Sequence, residues 1–169
     1  MKRYFRLSLV VLWLLTVIGT ARGDGALKSA EKLNDAGEYK ASIRLLKKIT
    51  KQEPLNAGAW TLMGNSFLSL GKSEKAVNAF EKAITAEPEN EEAFFGLGLA
   101  YGKMRQYTHA TEAFKRAITI DPQHANAHFE LGLVYDHLSN ISYAFEQYKI
   151  LKTLDKSLAD RLYHIILGK

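Results

Sequence analysis

The only three prolines of this 169-residue chain stand at 54, 88 and 122, so the same interval of 34 residues separates each from the next. A fixed period of that length marks stacked supersecondary units, each too small to bury its apolar face alone. Cutting the chain into segments 57–90, 91–124 and 125–158 sets like residues under like. Trp60, Met63, Gly64 and Phe67 recur as Phe94, Leu97, Gly98 and Tyr101, then as His128, Leu131, Gly132 and Tyr135. Ala76, Phe80 and Ala83 recur as Ala110, Phe114 and Ala117, then as Ala144, Tyr148 and Leu151.

Both halves of each unit carry helical spacing. Trp60, Met63, Gly64 and Phe67 fall at i, i+3, i+4 and i+7, one face of a first helix, and Ala76, Phe80, Ala83 and Ile84 make the matching face of a second. The glycine and the alanine are read as the small residues that let the two helix backbones come close. Proline ends the second helix because it pushes the residue before it out of the α region. Glu89, Glu91 and Glu92 lie at the start of the next helix, where negative charge suits the helix dipole.

These residues resemble the tetratricopeptide repeat family, a 34-residue helix–turn–helix pattern. Segment 57–90 is nearly complete and has Gly71 at its internal turn, whereas 91–124 has Arg105 there. Segment 125–158 departs further, with His128 for the large aromatic, Leu151 for the second small residue and Lys156 for the proline. Residues 23–56 form a degenerate first unit that keeps Leu33, Gly37, Tyr39, Ile43 and Pro54 but has Ala30 where glycine is usual. A capping helix is expected over 158–167, with Leu158, Leu162, Ile165 and Ile166 inward and Asp160 and Arg161 outward. The resemblance implies an all-α, right-handed solenoid of antiparallel helix pairs, closed by that capping helix.

The N-terminal stretch is of another kind. Lys2, Arg3 and Arg6 precede an apolar run from Leu7 to Ile18 that only Ser8 and Thr16 interrupt, and Gly19, Thr20 and Ala21 follow. This is the layout of a signal peptide over 1–21, with the repeat domain over 22–169. A membrane span needs about 20 apolar residues, so removal is the first reading and an uncleaved N-terminal anchor the second. An exported, periplasmic or secreted protein is expected; membrane contact would come only through an uncleaved segment. Removing 1–21 takes Lys plus Arg from 23 to 20 against 18 Asp plus Glu, which lowers the net charge from +5 to +2. Nucleic acid binding, which needs a sustained basic stripe, loses its support. The chain has no cysteine, and this removes disulfides, thiolate metal sites and Cys nucleophiles together.

The resemblance further implies a concave groove lined by the first helices, with the second, fifth, ninth and twelfth places of each unit facing a bound peptide. Along the chain these are Asp24, Leu27, Glu31 and Asn34; Gly58, Thr61, Asn65 and Leu68; Glu92, Phe95, Leu99 and Gly102; Asn126, Phe129, Leu133 and Asp136. Phe95, Leu99, Phe129 and Leu133 give the stripe an apolar centre, and Asp24, Glu31, Glu92 and Asp136 an acidic rim. The fitting partner is a protein segment with apolar anchors and some basic residues. The competing reading is that the four apolar residues pack against the next helix pair. The basic carboxylate clamp of the family's chaperone-docking members is matched only at Asn65.

No catalytic constellation, cofactor or metal site is read from the rest. His124 and His128 are four apart, but the first falls in an inter-unit loop and the second takes a packing place, with no third ligand near in sequence. His109, His137 and His164 are scattered. Gly96, Gly98 and Gly102 lack the spacing and the preceding strand of a nucleotide loop. Lys47, Lys48 and Lys51 are taken as a solvated outer face. The expected function is a non-catalytic scaffold for assembling an envelope or secretion complex. The alternative is a structural subunit docking through the ends of its stack with the groove unused.

Overall fold

A computed structural model describes residues 25–168, so the expected signal segment 1–21 and Asp24 lie outside the described residues. The described residues form helices only. α1 covers 25–35, followed by α2 (Tyr39–Gln52), α3 (Ala57–Ser69), α4 (Ser73–Ala86), α5 (Glu91–Lys103), α6 (Tyr107–Ile120), α7 (Ala125–His137), α8 (Ile141–Leu154) and α9 (Lys156–Leu167). The starts of α3, α5 and α7 repeat at the proline interval, as do those of α2, α4, α6 and α8.

Each inter-unit junction uses the same chemistry. The side chains of Asn56 and Asn90 accept the backbone N–H of Ala59 and Ala93 at 2.9 and 2.8 Å, and His124 Nδ1 takes the same part for Ala127 at 3.4 Å. These N-caps satisfy a donor that the first turn leaves orphaned. The aromatic place is tied to the proline just before it: Trp60 Nε1–H donates to the Pro54 carbonyl at 2.8 Å. His128 reproduces that bond, with Nε2 3.1 Å from the Pro122 carbonyl, and its Nδ1 meets the Gln147 amide at 2.8 Å.

The turns within units are also identical in backbone. Gly37, Gly71, Arg105 and Ser139 all have φ between 58° and 76°. At each, two N–H groups close back onto the helix, as in Gly71 to Leu68 at 3.0 Å and Lys72 to Phe67 at 2.9 Å. Glycine adopts this left-handed conformation freely, whereas Arg105 and Ser139 bring a Cβ into conflict with the backbone. Arg105→Gly and Ser139→Gly are each expected to raise the unfolding free energy by about 1 kcal/mol. Urea denaturation followed by helical circular dichroism checks this; a loss of stability in both would show that the side chains contribute more than the strain.

The core is built on rings seated against glycine. A Cβ at Gly64 would fall 2.5 Å from Phe80 Cε1, and one at Gly98 would fall 2.5 Å from Phe114 Cε1. The glycine thus makes room for an aromatic ring from the second helix rather than for bare backbone. Phe80 also lies against Gly96 of the following unit, so one ring joins two units. In the first unit Leu46 takes the ring's place, and Ser42 replaces the small alanine, donating its hydroxyl to the Ala30 carbonyl at 3.0 Å.

Curvature follows from which helices meet. The backbones of α3, α5, α7 and α9 contact one another in sequence, whereas those of α2, α4, α6 and α8 do not. The first helices therefore form the inner, concave wall and the second helices splay apart outside it. The architecture is an all-α solenoid with a C-terminal helix. That last helix begins at Lys156, ahead of the expected 158, because Asp155 both ends α8 and caps α9, accepting the Leu158 N–H at 3.0 Å. Its inward residues are Leu158, Ala159, Leu162 and Ile166, while Ile165, expected inside, is 39% exposed.

Candidate functional site

The concave stripe runs across α1, α3, α5 and α7, and its members differ in access. Leu68, Phe95, Leu99 and Leu133 are half-buried, each with part of its surface open. Phe95 is propped by two rings, with centroids 5.8 Å away at Phe114 and 4.6 Å at His124. Asn65 donates its side-chain N–H to Glu92 Oε1 at 3.0 Å, which ties α3 to α5 across the floor. Nothing fills the space beside Gly102, where an added Cβ would meet no atom within 4 Å. Asn126 and Glu31 are exposed, and Asn34 accepts the Ser66 hydroxyl at 2.5 Å.

Three residues expected to face a partner are buried instead. Thr61 and Asp136 are each 3% exposed and Phe129 is 5% exposed. Phe129 is covered by the C-terminal helix, with the Arg161 guanidinium 4.8 Å from its ring centroid. For this residue the packing alternative holds. What remains open is a shorter apolar floor of Phe95, Leu99 and Leu133, flanked by Asn65, Leu68 and Glu92.

Two ionisable groups at this wall were missed by the stripe pattern because they sit one place beside it. Glu130 has its carboxyl raised above the ordinary glutamate range by burial, with Arg161 and Lys103 opposing. Glu91 is raised likewise by burial, with His124 opposing. His124 Nδ1 accepts the Ala127 N–H, and its Nε2 lies 2.7 Å from Glu91 Oε1, close enough for an ion pair when the ring is protonated. A carboxyl raised in the folded state takes up its proton more readily folded than unfolded. Its cost is thus felt at neutral pH, relieved as pH falls through the raised value, and gone below the ordinary glutamate range. Glu130→Gln is expected to stabilise the chain at pH 7, with the gain shrinking to nothing in acid. Denaturation midpoints compared across pH test this; a constant or inverted difference would contradict it.

The two adjacent histidines do not converge. His128 is 4% exposed with both ring nitrogens turned to protein partners, and His124 spends its own on the helix cap and Glu91. No group of three potential metal ligands gathers among the described residues.

The 34-residue helix pairs, with their capped junctions and ring-on-glycine cores, match the family models for the TPR repeat over 64–104 and the tetratricopeptide repeat over 91–124. The chain is a tetratricopeptide repeat protein. Among solved structures, this repeat protein is similar to a crystal structure of MamA, with 27% identity and a TM-score of 0.76, over 81% of this chain and 80% of that one. A thermophilic TPR protein in Thermus thermophilus shares the fold at 22% identity and a TM-score of 0.72, over 86% and 83% of the two chains. So does YrrB, described as a TPR protein with an unusual peptide-binding site, at 22% identity and a TM-score of 0.70, over 83% and 75%. No curated protein sequence matches the chain.

Proposed function

We propose that this tetratricopeptide repeat protein is an exported, non-catalytic scaffold that holds a segment of another protein in its concave groove during assembly of an envelope or secretion complex. The observation that carries the reading is the partly open row of Phe95, Leu99 and Leu133 on the inner wall, beside the exposed carboxylate of Glu92. Apolar side chains left in a concave, polar-rimmed surface are what an interaction surface needs. A client with apolar anchors and a few basic residues fits both features. Export rests on the signal-like pattern over 1–21, with release into the periplasm or medium as the first reading and a membrane anchor as the second.

A photo-crosslinker at Phe95 in the cell tests the groove, with Leu99→Asp plus Leu133→Asp as the paired variant. The expected result is a discrete crosslinked protein that is lost, at least about tenfold, in the variant. A second reading, docking through the stack's end, is favoured by Ile150, Tyr163, Ile165 and Leu167, which are 38–56% exposed on α8 and α9. Crosslinks that survive the groove variant, or that join only copies of this chain, would overturn the groove and favour the end.

A further inference from the structure

The outer face has a feature with the same period as the fold. Because α2 and α4 splay apart, a cavity of about 360 Å³ opens between them, floored by Trp60, Met63, Phe67 and Ala79. One unit on, Phe94, Leu97, Tyr101 and Ala113 floor a smaller cavity of about 250 Å³. The cavities are equivalent, and what differs is the residue at the lid.

The lid places are 75, 109 and 143. In the fourth unit (125–158) Tyr143 stacks on Tyr135 with ring centroids 5.1 Å apart. In the third unit (91–124) His109 lies over Tyr101 at 5.1 Å. In the unit that holds the larger cavity the lid is Lys75, so no ring covers Phe67. Trp60 is pinned by its bond to Pro54, and its ring faces the Lys82 ammonium 4.4 Å from the centroid.

Charge makes the same distinction. Lys47, Lys75 and Lys82 line the larger cavity against Glu74 alone, while the smaller one balances Arg116 with Glu112. Among the described residues, none of these three lysines forms an ion pair. Helix α2, which supplies Lys47, carries five basic residues and no acidic one. The concave groove, by contrast, has Glu92 and Glu31 exposed.

We propose that this lidless outer cavity is a second binding site, separate from the groove, for a partner segment that places an aromatic or long aliphatic side chain among carboxylates. The apolar side chain takes the position that Tyr143 fills in the fourth unit, against Phe67 and Trp60. Flanking Asp or Glu residues meet Lys47, Lys75 and Lys82, and the ring–cation contact at Trp60 adds to the attraction.

The test uses the full chain and a fluorescent peptide with Phe and Leu set between Asp and Glu residues, followed by anisotropy. Lys75→Tyr installs the chain's own lid, and Lys47→Glu with Lys82→Glu reverses the rim. The result expected is binding that weakens at least about tenfold in both variants, with circular dichroism unchanged, and at least about tenfold in a peptide whose acidic residues are replaced by Lys. The groove variant Leu99→Asp plus Leu133→Asp should leave the affinity as it is. Equal affinity for Lys75→Tyr and the parent would overturn the proposal, as would loss of binding in the groove variant. Binding to vesicles of anionic phospholipid that the rim variant abolishes, with no binding of the peptide, would assign the lysines to a membrane surface and overturn it too.

Discussion

Phe80→Ala is expected to lower the unfolding free energy by about 3–5 kcal/mol, the largest loss from any single side chain of the stack. The ring is wholly buried and rests on Gly64 of its own unit and on Gly96 of the next. Neither glycine has a side chain that could relax into the space, so the cavity stays open and its lining loses its contacts. Since each unit contacts only its neighbours, the change weakens an interface as well as a unit. Unfolding in urea should therefore lose cooperativity as well as midpoint, with the first two units separating from the rest. Tyr148→Ala provides the comparison, because the same place in the fourth unit is half-buried and its ring lies over Tyr163 at 5.2 Å instead of on a glycine. A loss there of about 1–2 kcal/mol is expected. Equal losses at the two places would refute the argument that the glycine seat sets the cost.

The contrast between these two positions shows which parts of the fold were legible in the sequence. Period, helix pairing and the glycine–aromatic couple could all be read because each unit repeats the same local solution, and the proline spacing set the phase. The last junction could not be read that way. With Lys156 in the proline's place, Asp155 ends one helix and caps the next, and the linker present at Glu53 to Asn56 or Asp121 to His124 is gone. The repeat pattern keeps counting through that deletion and places the cap late. It also puts Ile165 on the inner face, because Ile165 and Ile166 both follow Leu158 at helical spacing, and the helix buries Ile166 instead.

The groove was legible to a similar degree. Periodicity identifies the stripe that faces inward, and Phe95, Leu99 and Leu133 lie on it with surface to spare. It does not say what else will cover that stripe. Phe129 lies under Arg161 from a helix outside the repeat, and Thr61 is buried on α3 although its place in the stripe faces inward. The outer cavity was hidden for a different reason. Lys47 was visible only as one of three lysines on a helix surface, and its meaning depends on Lys75 standing where later units have His109 and Tyr143.

Leu162→Ala should produce the second large effect, a loss of about 2–5 kcal/mol confined to the end of the stack. Leu162 is fully buried, and its Cδ2 would lie 2.5 Å from a Cβ at Gly132. It occupies the seat that Phe80 and Phe114 fill in the preceding units, left vacant because Tyr148 turns outward to Phe145 and Tyr163, where its hydroxyl stays near solvent. Among the described residues the C-terminal helix touches only α7 and α8, so removing its anchor should detach it without unfolding the earlier units. Hydrogen exchange is the measurement: amides of Lys156–Leu167 should lose protection while those of α3 and α4 keep theirs. Unchanged protection in the last helix would show that Leu158 and Ile166 hold it unaided. Where the helix does detach, Arg161 leaves Phe129, and the concave wall gains the apolar residue that the cap now covers. Leu162 thereby sets the length of the groove as well as the stability of its end, and the Leu162→Ala chain should take a longer apolar segment than the parent does.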